Sequence, residues 1–348
     1  MNEETDETNR ALADWAASQA IFGGAEMNIS FMYRRDGAAR YRLRWAGEQA
    51  ILKLYTPYDL ASGTLAPNTA KSRAAAEAAG LRAYSPIGLA PELLWEGIVP
   101  QLEDRAVLYR WVEGQPLGRR EIDNREAEIY AGALWQVHRA EISPSVTSPQ
   151  PVNMDKWWLR VHELFRDLPG PLLESIPLEV YDAFSRLTQA VAADAQAHKR
   201  FWGHTPLTPV QGSPAPENLV INGDSALWVD WQLYGSGDPA YELAYVMWGI
   251  APYAGQEAAD RIAETYLTRA DDHMFSREVE IYKRVIPFGH IVRLLTNVDS
   301  VGEEGAAHLR YYMKECLLIY SRPEGLAENV STQLQQWALT RLGLKKEA

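Results

Sequence analysis

Asn218 and Asp230 bracket a short hairpin, and their types suit metal or phosphate chemistry. Leu219-Val220-Ile221 is an apolar run. Asn222-Gly223 follows as a tight-turn pair, since both residues accept positive φ, and Ala226 to Val229 reads as the return strand. Asn218 enters this hairpin and Asp230 leaves it, so both are expected near its open end, on one side. An amide oxygen and a carboxylate held there could share a hard cation such as Mg2+ through oxygen ligands. Beyond the hairpin, Gly235, Gly237 and Pro239 break the chain, and Asp238 is placed to cap a helix starting near Ala240. Upstream, Lys53 sits between Leu52 and Leu54, and Glu77 is the single acid of the segment Thr69 to Leu81. Taken alone, these two read as a solvent-facing lysine and a surface glutamate.

The elements that must position these residues follow from periodicity. Thr8 to Gln19 has the spacing of an amphipathic helix, with Leu12, Trp15 and Ala16 on one side. Asn28 to Tyr33, Tyr41 to Trp45 and Gln49 to Tyr55 alternate as strands, separated by turns at Arg35-Asp36-Gly37 and Ala46-Gly47-Glu48, which predicts an antiparallel meander. The alanine-rich segment Thr69 to Leu81 has high helix propensity. Ala106 to Val112 is apolar and β-rich, closed by the turn residues Glu113-Gly114-Gln115-Pro116. Helical spacing returns over Arg125 to Arg139, Trp157 to Phe165 and Leu178 to Ala197. Beyond Ala240 it is nearly continuous, over Tyr241 to Trp248, Gln256 to Arg269, Ser276 to Leu295, Ala306 to Tyr320 and Asn329 to Leu342. Ile142 to Met154, rich in Ser, Pro and Thr, reads as a loop.

With 348 residues, 47% of them hydrophobic, the chain can bury one large or two smaller cores. A net charge of −12 makes it a poor binder of nucleic acid or anionic membrane; it is compatible with a cationic small molecule, but also with the ordinary acidity of many soluble proteins. The single cysteine, Cys316, excludes an intrachain disulfide and a cysteine-based metal site. The acidic, polar start Met-Asn-Glu-Glu-Thr-Asp-Glu has no signal-peptide character, and no apolar run reaches the roughly 18 residues of a membrane span. These features predict a cytoplasmic protein. His204, His273, His290 and His308 lack metal-ligand spacing, and no Ser-His-Asp constellation is apparent.

The stretch Pro209 to Trp248 resembles the signature of aminoglycoside phosphotransferases and choline kinase-like enzymes, which share the protein-kinase fold. That signature runs H-G-D-x-x-x-x-N, a short hairpin, [ILV]-D-W, then G-D-P-x-x-[DE]-L-A. Here the matching residues are Gln211-Gly212-Ser213, Asn218, Val229-Asp230-Trp231, and Gly237-Asp238-Pro239-Ala240-Tyr241-Glu242-Leu243-Ala244. The resemblance implies an α+β, bilobal protein-kinase-like fold. A small antiparallel-sheet lobe with one helix would span 1–112, and a large, mainly helical lobe with catalytic loop, metal site and substrate pocket would span 113–348. It implies ATP or GTP with Mg2+ as cofactors. Lys53 would hold the nucleotide phosphates, oriented by Glu77. Gly23 and Gly24 would fold over them, and the backbone of Arg110 and Val112 would meet the adenine edge. Asp230 would be the main Mg2+ ligand and Asn218 the second. His138, closing Leu134-Trp135-Gln136-Val137-His138, matches a structural position under the catalytic loop. The acceptor implied is a hydroxyl of a small molecule.

One departure matters. Ser213 stands at the family's base position, where an aspartate takes the acceptor proton, and Gln211 stands in place of a histidine. A serine hydroxyl forms hydrogen bonds but titrates far too high to act as a base near neutral pH. Glu217 and Asp224 are nearby, but neither falls at the spacing of the missing base. Three readings follow: an ATP-dependent phosphotransferase with weakened or atypical catalysis; a pseudokinase that binds nucleotide or ligand and acts through a protein partner; or other nucleotide chemistry on the same fold, such as nucleotidyl transfer.

Overall fold

Alternating side chains build the N-terminal sheet, and the turns between its strands fix which residues face each other. The computed structural model describes residues 3–344 apart from 36, 56–68, 149–152, 167, 169, 224 and 321. A helix, α1 (Glu3–Ser18), precedes β1 (Asn28–Arg35), β2 (Ala38–Trp45) and β3 (Glu48–Tyr55). Helix α2 (Ala70–Tyr84) follows, then β4 (Leu93–Val99) and β5 (Asp104–Arg110). The five strands form one antiparallel sheet in the order β1-β2-β3-β5-β4. Between β2 and β3 the loop is only Ala46-Gly47, both at positive φ, and Trp45 pairs with Glu48. That two-residue loop sets the whole register and places Arg40 opposite Lys53.

The two faces of β3 are buried differently. Ala50, Leu52 and Leu54 join Leu12, Trp15 and Phe22 in an apolar core beneath α1. The opposite face, with Lys53 and Tyr55, packs toward α2, which lies against β3, β4 and β5. Lys53 is 0% exposed. The solvent-facing reading of this lysine therefore fails, because a helix covers the face that alternation assigns to polar residues.

Two compact units divide the chain. The first comprises Met1–Gly118, Ile129–Gln150 and Thr208–Gly237. After the sheet it contains β6 (Gln115–Pro116), most of α3 (Asn124–Arg139), β7 (Thr208–Val210), β8 (Leu219–Asn222), β9 (Ser225–Trp228) and β10 (Gly235–Gly237). β8 pairs with β6 and β9, and β7 pairs with β10. Asn222 still pairs with Ser225, so the hairpin loop is Gly223 and residue 224, one position later than Asn222-Gly223. Gly223 takes the positive φ there, while Asp224 lies outside the described residues.

The second unit comprises Arg119–Glu128, Pro151–Leu207 and Asp238–Ala348. It is helical: α4 (Met154–Arg166), α5 (Gly170–Ser175), α6 (Leu178–His198), α7 (Pro239–Ala254), α8 (Gln256–Ala270), α9 (His273–Thr296), α10 (Gly302–Ile319) and α11 (Glu324–Arg341). Helices α9, α10 and α11 begin three to five residues before the apolar periodicity that predicts them. Each opens on polar or glycine residues that carry no apolar period (His273, Gly302-Glu303-Glu304 and Glu324-Gly325), although Met274 and Phe275 already belong to the first turn of α9. Asp272 caps α9, its Oδ1 accepting from the N–H of Met274 at 2.8 Å and of Phe275 at 3.1 Å. No helix among the described residues is long and apolar enough to cross a membrane.

Candidate active site

Helix α2 and the hairpin exit are fitted to each other residue by residue. Arg73, Glu77, Gly80 and Tyr84 recur at helical spacing and form one stripe. Thr69 starts the helix, its hydroxyl accepting from Ser72 N–H at 3.1 Å. A side chain at Gly80 would meet the Trp231 ring at 2.8 Å, so only glycine admits this approach. Trp231 stacks on Tyr84 with ring centroids 4.6 Å apart, and its Nε1 donates to the Trp228 carbonyl at 2.8 Å. Next in the chain, Gln232 accepts from Arg73 Nε at 3.2 Å and Nη2 at 3.0 Å. The two residues that follow Asp230 are thereby fixed.

Lys53 Nζ donates to Glu77 Oε2 and to Asp230 Oδ1, each at 2.8 Å. The Tyr55 hydroxyl donates to the same Glu77 oxygen at 2.9 Å. Asp230 Oδ2 accepts from Arg40 Nη2 at 3.0 Å. Both carboxylate oxygens of Asp230 thus hold a cationic group. Burial alone would raise the Asp230 pKa, but Lys53 and then Arg40 outweigh it and hold it down to about 2. Arg40 is raised despite its burial, chiefly by Asp230. No group of three or more His, Cys, Asp and Glu side chains among the described residues is arranged to hold a metal ion.

The loop around Ser213 is ordered by its neighbours. Gln211 Nε2 donates to the carbonyls of Val229 at 3.2 Å and Asp230 at 3.0 Å, while its Oε1 accepts from Ser213 N–H at 2.7 Å. Gln211 thereby ties the loop to the hairpin exit. Gly212 has φ +87°, and a Cβ there would lie 2.0 Å from the Leu233 carbonyl oxygen. Asn218 Nδ2 donates to the Ser213 carbonyl at 2.8 Å. The Val229 N–H donates to the Asn218 carbonyl at 2.8 Å, which closes the hairpin's open end and brings Asn218 beside the strand leading to Asp230.

The remaining expected residues lie apart from this cluster. Arg110 ends β5, and its side chain pairs with Glu48 and, at 2.8 Å, with Glu92. Its N–H donates to the Glu92 carbonyl at 2.9 Å, and Val112 follows outside the strand. Gly23 and Gly24 close a short turn of helix before β1, with φ of 58° and 72°. They adjoin the Asn28–Arg44 end of the sheet, four residues along β2 from Arg40, or roughly 13 Å at the rise of a strand. The turn at the Lys53 end is the one between β1 and β2, which contains Gly37. The structure therefore does not bring Gly23 and Gly24 to Lys53.

Comparison with known proteins bears on the family and the fold. The phosphotransferase enzyme family matches over residues 34–278, more than two thirds of the chain. The chain belongs to the phosphotransferase enzyme family. Protein LicA of Haemophilus influenzae is 28% identical over 67 residues, which is 19% of this chain and 24% of that protein's length. Choline kinase LicA from Streptococcus pneumoniae is similar in structure, with a TM-score of 0.60 at 12% identity over 89% of this chain and 99% of that one. So is a thermostable mutant of aminoglycoside phosphotransferase APH(4)-Ia, solved with AMP-PNP and hygromycin B, with a TM-score of 0.55 at 12% identity over 93% of this chain and 98% of that one. At such identities the likeness is one of fold, a kinase-like fold with an N-terminal antiparallel sheet and a helical C-terminal part.

As a phosphotransferase-family chain, this one carries two cluster residues that sequence reasoning missed, Arg40 and Arg73. Each had a legible signal. Arg40 faces Lys53 once the two-residue loop at Ala46-Gly47 is recognised, and Arg73 lies one helical turn before Glu77.

Proposed function

We propose that the chain binds a nucleoside triphosphate at Lys53 and acts as a phosphotransferase-type protein on a hydroxyl of a small molecule, with its proton acceptor missing. The observation that carries this reading is the position of Lys53 Nζ, 2.8 Å from both Glu77 and Asp230. A lysine so oriented offers its charge to phosphate oxygens, and phosphoryl transfer depends mainly on such positioning and charge neutralisation. Residues 1–112 would carry the nucleotide and 113–348 the acceptor. Family membership and the AMP-PNP complex of the related fold support nucleotide use. Choline and hygromycin B, the compounds named for the similar structures, set the classes of acceptor to try.

Ser213 limits the chemistry. A positioned base typically contributes about 10²–10⁴-fold, and serine does not supply it. Magnesium is the other open point. Asn218 and Asp230 are suitable donors by type, and a cation bound there would compete with Lys53 and Arg40, each of which donates to one oxygen of Asp230. The same two departures favour a second reading, a catalytically silent nucleotide or ligand binder that acts through a partner.

Calorimetry with ATP and with GTP, on wild type and Lys53→Met, tests the site without a guess about the acceptor. Binding in wild type and loss in the variant is the expected result. Absence of binding to either nucleotide rejects nucleotide binding in both readings. The Ser213→Asp variant, assayed with choline and hygromycin B, then separates them. A rise in phosphate transfer supports the enzyme, and no rise with either compound counts for the silent binder.

A further inference from the structure

Arg40 has no place in the phosphotransferase signature, yet it sits at the centre of the site. The two-residue loop between β2 and β3 puts it directly across from Lys53, on the same face of the sheet. Its side chain is 7% exposed. The guanidinium rests on the Tyr33 ring, 4.9 Å from the centroid, and donates through Nη2 to Asp230 Oδ2 at 3.0 Å. Lys53 takes the other carboxylate oxygen at 2.8 Å. Lys53 shares its charge between Asp230 and Glu77, at 2.8 Å from each, while Arg40 brings a second cationic group to Asp230. They approach from two adjacent, paired strands.

We propose that Arg40 takes the place of a divalent cation at Asp230, so that this site binds a nucleoside triphosphate without metal. The proposal rests on the nucleotide-binding reading above. A guanidinium suits the task. It stays charged at every accessible pH, is weakly hydrated, and presents a planar fork of N–H donors that matches phosphate oxygens two at a time. An ammonium and a guanidinium side by side then offer N–H donors to polyphosphate oxygens that a metal ion otherwise contacts. A metal ion would have to displace Arg40 from a carboxylate it already neutralises, and would leave a nearly buried guanidinium without that partner.

The test is ATP binding by calorimetry in MgCl2 and in EDTA, on wild type and on Arg40→Ala, with a thermal melt of each. Wild type is expected to bind with the same affinity in both buffers, within about twofold. Arg40→Ala is expected to lose about tenfold or more in EDTA and to regain affinity when Mg2+ is supplied. Wild-type binding about tenfold tighter in MgCl2 than in EDTA overturns the metal-free site while leaving nucleotide binding intact. No binding of ATP in either buffer overturns both. The wild-type comparison decides the matter even if the variant folds poorly. Titration with Mn2+ alone, followed by electron paramagnetic resonance, is a second readout. Binding to wild type that Asp230→Asn abolishes also overturns the proposal.

Discussion

Asp230 and Asp238 lie eight residues apart in the sequence, both largely withdrawn from water, and they titrate in opposite directions. Asp230, in the first unit, is clamped by Lys53 and Arg40 and held down to about 2. Asp238, in the second unit, is 5% exposed and meets only neutral donors: the N–H groups of Ala240 and Tyr241 and, at 2.6 Å, the Tyr282 hydroxyl. Burial, with a contribution from Glu278, pushes its carboxyl up to about 6. Hydrogen bonds orient a buried carboxylate, but here only cations outweigh its desolvation. One aspartate is equipped to hold charge at any physiological pH, and the other caps a helix and resists its own ionisation.

Breaking the clamp is expected to have the largest effect. Lys53→Met leaves Glu77 and Asp230 as buried charges short of a partner, and a loss of about 3–5 kcal/mol in denaturant-melt stability is expected. The same change should raise the pKa of Asp230, which an acid titration followed by nuclear magnetic resonance detects.

Asp238→Asn comes next. Asparagine also caps helices, so the change mainly removes the titration. Between pH 3.8 and about 6 the native state binds more protons at Asp238 than the unfolded chain does, so this group makes stability fall as pH rises through that window. Relative to pH 7, the variant should lack about 3 kcal/mol of stabilisation that wild type gains at pH 3.8. Asp230 runs the other way. Its contribution is complete above pH 3.8 and lost as pH falls toward 2. If stability curves of wild type and variant run parallel, the contrast between the two aspartates is wrong.

Tyr282→Phe sharpens the comparison further. Removing a neutral donor from a nearly buried carboxylate should cost about 1–3 kcal/mol at neutral pH and less in acid, where the carboxyl is protonated. Thr69→Ala is expected to be the smallest change, about 1 kcal/mol, because it removes only the exposed cap of the helix that carries Glu77. Amide exchange along α2 gives that effect its location.

Local signals made part of this site readable. The hairpin, its flanking Asn218 and Asp230, and the capping role of Asp238 all follow from turn and cap chemistry within a few residues. Burial from a distance is what the local pattern cannot carry. Arg40, Arg42 and Arg44 share one face of β2 and look alike in sequence, yet they grade from buried through intermediate to exposed. The paired elements cover only the end of the face nearest Lys53. Lys53 hid in the same way, since alternation assigns it to a polar face and says nothing of α2 closing over it. The glycine pair Gly23-Gly24 shows the converse. Its composition suits a phosphate loop, but it ends a helical turn at the far end of the sheet.

Asp230 also has φ of 63°, a left-handed conformation that glycine and asparagine enter most easily. Backbone geometry by itself would be better served by either of those two. The substitutions that relax this position are therefore the ones that erase its charge, and the substitution that keeps the charge by lengthening the side chain, to glutamate, adds strain. Any redesign of this position faces a choice between an easier backbone and a carboxylate, and aspartate is the one residue that offers both in part.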